Sequence, residues 1–129
     1  MTLTETCIRL DSREPPEVKA RAFATLGNDV PVAALPAADF ELTAPSGTKW
    51  GVERKTIADF LESAFRSHGD SDPRLDGQLH RLAELYDHVI LVLEGPWRIG
   101  QSNCVRLARR QTGWHVASFW GKLLSIQQD

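Results

Sequence analysis

Two carboxylates and a lysine are spaced for phosphate chemistry within the stretch from Asp39 to Asp59. Pro45, Ser46 and Gly47 suit a three-residue hairpin loop, with Pro preset for a type I turn and Gly free to enter the left-handed region. With those residues as the loop, Ala44 faces Thr48, Leu42 faces Trp50, Phe40 faces Val52, and Asp39 comes opposite Glu53. One hairpin face is then apolar, and the other carries Asp39, Glu53 and, by the two-residue period, Lys55. Directly opposed side chains have Cβ atoms roughly 4.5–5.5 Å apart, and like charges there repel. A hard cation between the carboxylates, Mg²⁺ or Mn²⁺, would resolve that repulsion. Lys55 could then orient or deprotonate an attacking water. The same residues also read as a solvated hairpin face on which Lys55 neutralises Glu53. Spacing alone leaves both readings open.

The wording around these residues narrows the choice. Asp39-Phe40, followed by Val52-Glu53-Arg54-Lys55-Thr56-Ile57-Ala58-Asp59, resembles the V-E-R-K-x-x-x-D signature of the XPF-type nucleases. These form a branch of the restriction-endonuclease-like PD-(D/E)XK superfamily. Upstream, Leu10-Asp11-Ser12-Arg13-Glu14 resembles the family's opening D-x-R-E. The similarity runs from about Cys7 to Gly95 and continues more weakly beyond, with one departure at Ala38, where the family usually has Gly. The resemblance implies an α/β fold, a restriction-endonuclease-like central mixed β-sheet flanked by helices. It implies a metal-dependent DNA endonuclease cutting branched, flap or junction DNA, with roles in repair or recombination. It assigns Asp39 and Glu53 to the metal with help from Asp11, and it places Lys55 and Glu14 with the catalytic group. Arg13, Arg54, Asp59 and Gln78 would support them. The family also contains inactive partners, so the alternative is a non-catalytic DNA-binding or scaffold subunit of a nuclease complex. Such partners typically lose the acidic ligands or the lysine, and this chain keeps them all. A homodimeric junction resolvase or restriction-like enzyme on the same fold is a third reading.

Several elements must position this site. Cys7 to Leu10 reads as a first strand ending in Asp11, and Pro15-Pro16 start a helix that runs to Leu26, with Val18, Ala22 and Phe23 inward and Gly27 as its stop. Outside the resemblance, Arg13 and Glu14 would serve helix initiation, since acidic residues favour a helix N-terminus. Val30 to Leu35 reads as a second strand, kept at an edge or irregular by Pro31 and Pro36. After the hairpin, Thr56 can cap a helix with Asp59 three residues on, which is the structural role open to Asp59. Ile57, Phe60, Leu61, Ala64 and Phe65 form an apolar stripe at helical spacing. A turn-rich loop follows from Ser67 to Pro73, with His68 read as a surface residue. Arg74 to about Asp87 reads as a helix with Leu75, Leu79, Leu82 and Tyr86 inward. Gly77 costs about 1 kcal/mol in a helix interior, so it hints at close approach by backbone or substrate. Val89 to Leu93 is an unbroken apolar run, expected of a central strand covered on both faces. Beyond Gly95 the pattern loosens: Cys104 to Arg110 suits a helix or part of a second hairpin, and Phe119 to Gln127 suits a helix. The family usually continues with another strand and helix, so the C-terminus is expected to be short of the family's full extent and the mode of dimerisation open.

Composition bounds the rest. The chain has 129 residues, which predicts a single domain over residues 1–129 with a sizeable core. No apolar run approaches the roughly 20 residues of a membrane span, and no secretory pattern opens the chain. Cys7 and Cys104 have no metal-type spacing and make no disulfide framework, so a reducing compartment is expected, cytoplasmic or nuclear. The net charge of −2 is low for a nucleic-acid binder, because phosphate neutralisation carries most nonspecific affinity. Basic residues do gather late, and Arg106, Arg109 and Arg110 are the candidate DNA contacts. The expected partners are DNA, a second copy or a nuclease-complex subunit.

Overall fold

The computed structural model describes residues 7–64 and 73–128. Their order is β1 (Cys7–Asp11), α1 (Pro16–Leu26), β2 (Val32–Ala33), β3 (Phe40–Thr43), β4 (Lys49–Thr56), α2 (Ile57–Ala64), α3 (Pro73–Leu85), β5 (His88–Glu94), β6 (Trp97–Ile99), β7 (Cys104–Leu107), β8 (Gln111–His115) and α4 (Val116–Gln128). The class is α/β, with a five-stranded mixed sheet in the order β2-β1-β3-β4-β5 and a three-stranded sheet in the order β6-β7-β8. Phe65, His68 and the predicted loop over residues 67–72 lie outside the described residues. The contacts group the chain into two compact units, residues 1–54 with 78–92 and residues 55–77 with 93–129.

In the first unit the hairpin forms as its loop chemistry predicts. Phe40 pairs with Val52 and Leu42 with Trp50. Ala44 N–H donates to Thr48 O at 2.9 Å, and Gly47, at φ 90°, takes the left-handed position only glycine enters without strain. β1 runs antiparallel to β3, with Leu10 opposite Phe40, and parallel to β2. The predicted second strand shrinks to Val32–Ala33 on the sheet edge, as its flanking prolines require. Leu10 and Leu35 are fully buried, while Ala38, Leu82 and Tyr86 form a cluster joined by Leu79 and Val89.

Two expectations are corrected, one in each unit. β5 is an edge strand rather than a central one, and its burial alternates, with Ile90 and Val92 exposed. An apolar run reports how much surface a strand can bury, and the described residues cover only one of its faces. Among the described residues nothing lies within 4 Å of the position a Cβ would take at Gly77, so no described backbone demands the glycine. Gly51 is under close approach, since a Cβ there would stand 2.5 Å from the Tyr86 ring.

The second unit is built on helical spacing and aromatics. Ile57, Phe60, Leu61 and Ala64 of α2 are all buried, as the stripe predicts. Thr56 caps the helix: its Oγ1 accepts the Asp59 N–H at 3.1 Å. Phe119 of α4 packs edge-on to Phe60 and lies 5.1 Å from Trp97, ring centre to ring centre. The segment left open between helix and hairpin resolves into strands, with β7 paired to both β6 and β8.

Candidate active site

The register of β1, β3 and β4 brings acidic residues to one end of the five-stranded sheet. Asp11 ends β1 and Asp39 precedes β3; Asp11 N–H donates to Asp39 O at 2.9 Å, extending the β1–β3 ladder by one rung. The regular β3–β4 pairing ends at Phe40–Val52. Beyond it, Asp39 N–H donates to Val52 O at 2.9 Å, and Asp39 Oδ2 accepts the Arg54 N–H at 2.7 Å. Asp39 is thus anchored to β4 by backbone on one side and carboxylate on the other. Glu53 lies next to that anchor and Lys55 two residues on, so strand alternation gives both the same side of β4. Both are half-buried.

Arginines hold the remaining carboxylates. Arg54 donates from Nη1 to Glu14 Oε1 at 2.7 Å, so one residue binds Asp39 through its backbone and Glu14 through its guanidinium. Glu14 is buried, which makes this a charge-assisted bond shielded from water. Asp11, 5 % exposed, receives Arg13 Nε at 3.0 Å on Oδ2 and the Leu35 N–H at 3.0 Å on Oδ1. Arg13 also donates from Nη2 to Leu35 O at 2.6 Å, closing a ring around Asp11. Burial pushes the Asp11 carboxyl upward, but the Arg13 guanidinium and the Leu35 N–H outweigh it and hold the group below its usual value. Asp39 also acts on Arg13 through its charge.

Hydrogen bonds therefore join Asp11, Arg13, Glu14, Asp39 and Arg54, and Glu53 adjoins them along β4. Asp59 lies outside this network, at the first turn of α2, where its N–H completes the Thr56 cap. Gln78 is exposed on α3. Arg106 is on β7, and Arg109 and Arg110 follow in the turn to β8; Arg110 lies 3.8 Å from Glu62. Among the described residues no group of three or more His, Cys, Asp or Glu is gathered tightly enough to hold a metal ion. Asp39 and Glu53 nonetheless offer hard oxygen donors, and Mg²⁺ is commonly held by one or two carboxylates with waters completing its shell. The donor chemistry fits a hard divalent cation.

One part of this face escaped sequence reasoning. Glu41, two residues from Asp39 on the same side of β3, is 4 % exposed. It accepts Arg9 Nη1 at 3.2 Å from the paired position on β1 and the Tyr86 hydroxyl at 2.8 Å. Burial, and then Glu41, raises the Tyr86 phenol above its ordinary value, so it stays a donor. The available signal was Gly51, directly opposite Glu41: a missing side chain in a paired strand marks room for another group.

With this geometry in hand, the chain can be compared with known proteins. The ERCC4 domain matches residues 10–129. Among solved structures the chain is similar to XPF from Aeropyrum pernix, with 31 % identity and a TM-score of 0.61, covering 95 % of this chain and 53 % of that one. The chain thus spans about half the length of that structure. Among curated proteins none matches.

Proposed function

This chain belongs to the ERCC4-domain family of XPF-type nucleases, and from that premise we propose that it is a metal-dependent endonuclease hydrolysing DNA phosphodiesters at flaps, junctions or other branches. The observation that carries the reading is the Asp39–Arg54 anchor, which holds the hairpin carboxylate against the Glu53-x-Lys55 strand inside the matched domain. Asp39 and Glu53 would hold the cation, and Asp11 adds negative charge beside them while Arg13 keeps it ionised. A bound divalent cation supplies Lewis-acid polarisation of the phosphate. Lys55 Nζ orients the attacking water and takes part in its proton transfer. Arg54 braces Asp39 and Glu14, so that the carboxylates meet the substrate already oriented, as preorganised electrostatics requires.

The test is cleavage of labelled flap, four-way junction, single-stranded and plain duplex DNA with Mg²⁺ or Mn²⁺. Wild type is expected to cut a branched substrate. Lys55→Ala should lower the rate by about 10²–10⁴, the usual contribution of a positioned acid–base group, and Glu53→Gln should cut no faster. Wild-type protein that binds branched DNA tightly but never cuts it would replace this reading with the scaffold one.

A further inference from the structure

The three-stranded sheet sets two arginines directly against each other. Arg98 on β6 and Arg106 on β7 are paired positions of an antiparallel ladder, so their side chains leave the same face side by side. Like charges so placed repel. Neither guanidinium has an ion pair or hydrogen bond with a described residue. β6 is the sheet edge, so Arg98 has no further strand neighbour among the described residues. On the other side Arg106 pairs with Gln111 of β8. The Gln111 amide is already engaged, Oε1 accepting the Gln101 N–H at 3.1 Å and Nε2 donating to Cys104 O at 3.3 Å. Arg98 and Arg106, with Trp97, line an open pocket of about 260 Å³. A water needs about 10–15 Å³ of such space, so the pocket admits a phosphate group with solvent. Of the late arginines, Arg110 already has Glu62 nearby.

We propose that Arg98 and Arg106 together grip a single phosphate of the DNA backbone; this rests on the DNA-hydrolysing reading above and assigns part of its substrate contact. Two forked donors on one face match the oxygens of one phosphodiester, and the shared anion removes the repulsion between them. The opposed pair therefore acts as a unit rather than as two independent contacts.

Binding of a fluorescent flap DNA by the whole chain, in EDTA and across a salt series, tests this. The slope of log K against log salt concentration should flatten by about 0.7–0.9 in Arg98→Ala, the loss of one phosphate contact. Arg106→Ala should flatten it equally, and the double variant by no more than either single one. Arg98→Gln keeps a polar end group without the charge and should match Arg98→Ala, and neither should melt below wild type, since each removes an opposed like charge. An unchanged slope in Arg98→Ala and Arg98→Gln, with wild type binding normally, overturns the shared grip alone. Twice the loss in the double variant overturns it in favour of separate contacts. A wild-type chain that binds no DNA overturns both this inference and the nuclease reading.

Discussion

At the residue scale, the site depends on which groups hold its carboxylates ionised and oriented. Asp11 is nearly inaccessible, and burial alone would favour its neutral form; Arg13 and the Leu35 N–H reverse that preference. A carboxyl depressed in the folded state stabilises the fold above its unfolded pKa, near 3.8. That contribution disappears as pH falls from there through the folded value. Arg13→Ala leaves the buried carboxylate with the Leu35 N–H but without its guanidinium, so the Asp11 titration should move upward. The acid limb of stability should move with it. Carboxyl-resolved NMR titration, with melting curves at pH 3 to 6, checks this. An Asp11 midpoint unmoved by the substitution would show that the Leu35 contact alone holds the charge. Glu41, also buried, is satisfied by other partners: Arg9 balances its charge and Tyr86 donates to its second oxygen.

At the element scale, the β3–β4 hairpin and the end of α3 depend on each other. Gly51 leaves the space the Tyr86 ring occupies, and that ring carries the hydroxyl that reaches Glu41. The start of β4 is tied as well, since Lys49 N–H donates to Asp87 Oδ2 at 2.9 Å while Asp87 N–H donates to Lys49 O at 2.9 Å. Gly51→Ala should therefore cost about 1–3 kcal/mol, the range for overpacking a filled interior. In a Tyr86→Ala background the same change should cost less, because the clash has gone. Denaturant unfolding of the two singles and the double gives the coupling energy. Additive costs would mean that the ring is not what Gly51 accommodates.

At the scale of the whole molecule, folding and metal loading should be separable. The described residues build their cores from apolar side chains, with Leu10, Leu35 and Leu82 in one unit and Phe60, Phe119 and Val105 in the other. Among the described residues no group of three His, Cys, Asp or Glu is placed to hold a structural ion. EDTA should therefore abolish cleavage while circular dichroism and the cooperative melt persist. Added Mg²⁺ should then raise the midpoint only by the modest linkage expected of a ligand that binds the folded state. Collapse of the melt in EDTA would instead make the metal part of the fold. The described residues hold no helix long and apolar enough to cross a membrane.

Local rules made much of this protein legible from its residues. Pro45-Ser46-Gly47 dictated a three-residue loop, and the two-residue period then set Phe40 against Val52. Pro16 and Gly27 bound α1, and Thr56 caps α2, because dihedral limits and unpaired helix-end N–H groups act over a few residues. The order of D-x-R-E and V-E-R-K likewise identified the family and the acidic end of the sheet. Tertiary structure alone decided what lies across a face. Tyr86 meets Glu41 from 45 positions away, Arg54 reaches Glu14 from 40, and Arg98 stands against Arg106 only once β6 pairs with β7. It also placed β5 at an edge although its apolar run suited a centre. Periodicity tells which side chains share a side of an element; which partner covers that side depends on chain closure over many residues, and no local pattern encodes it.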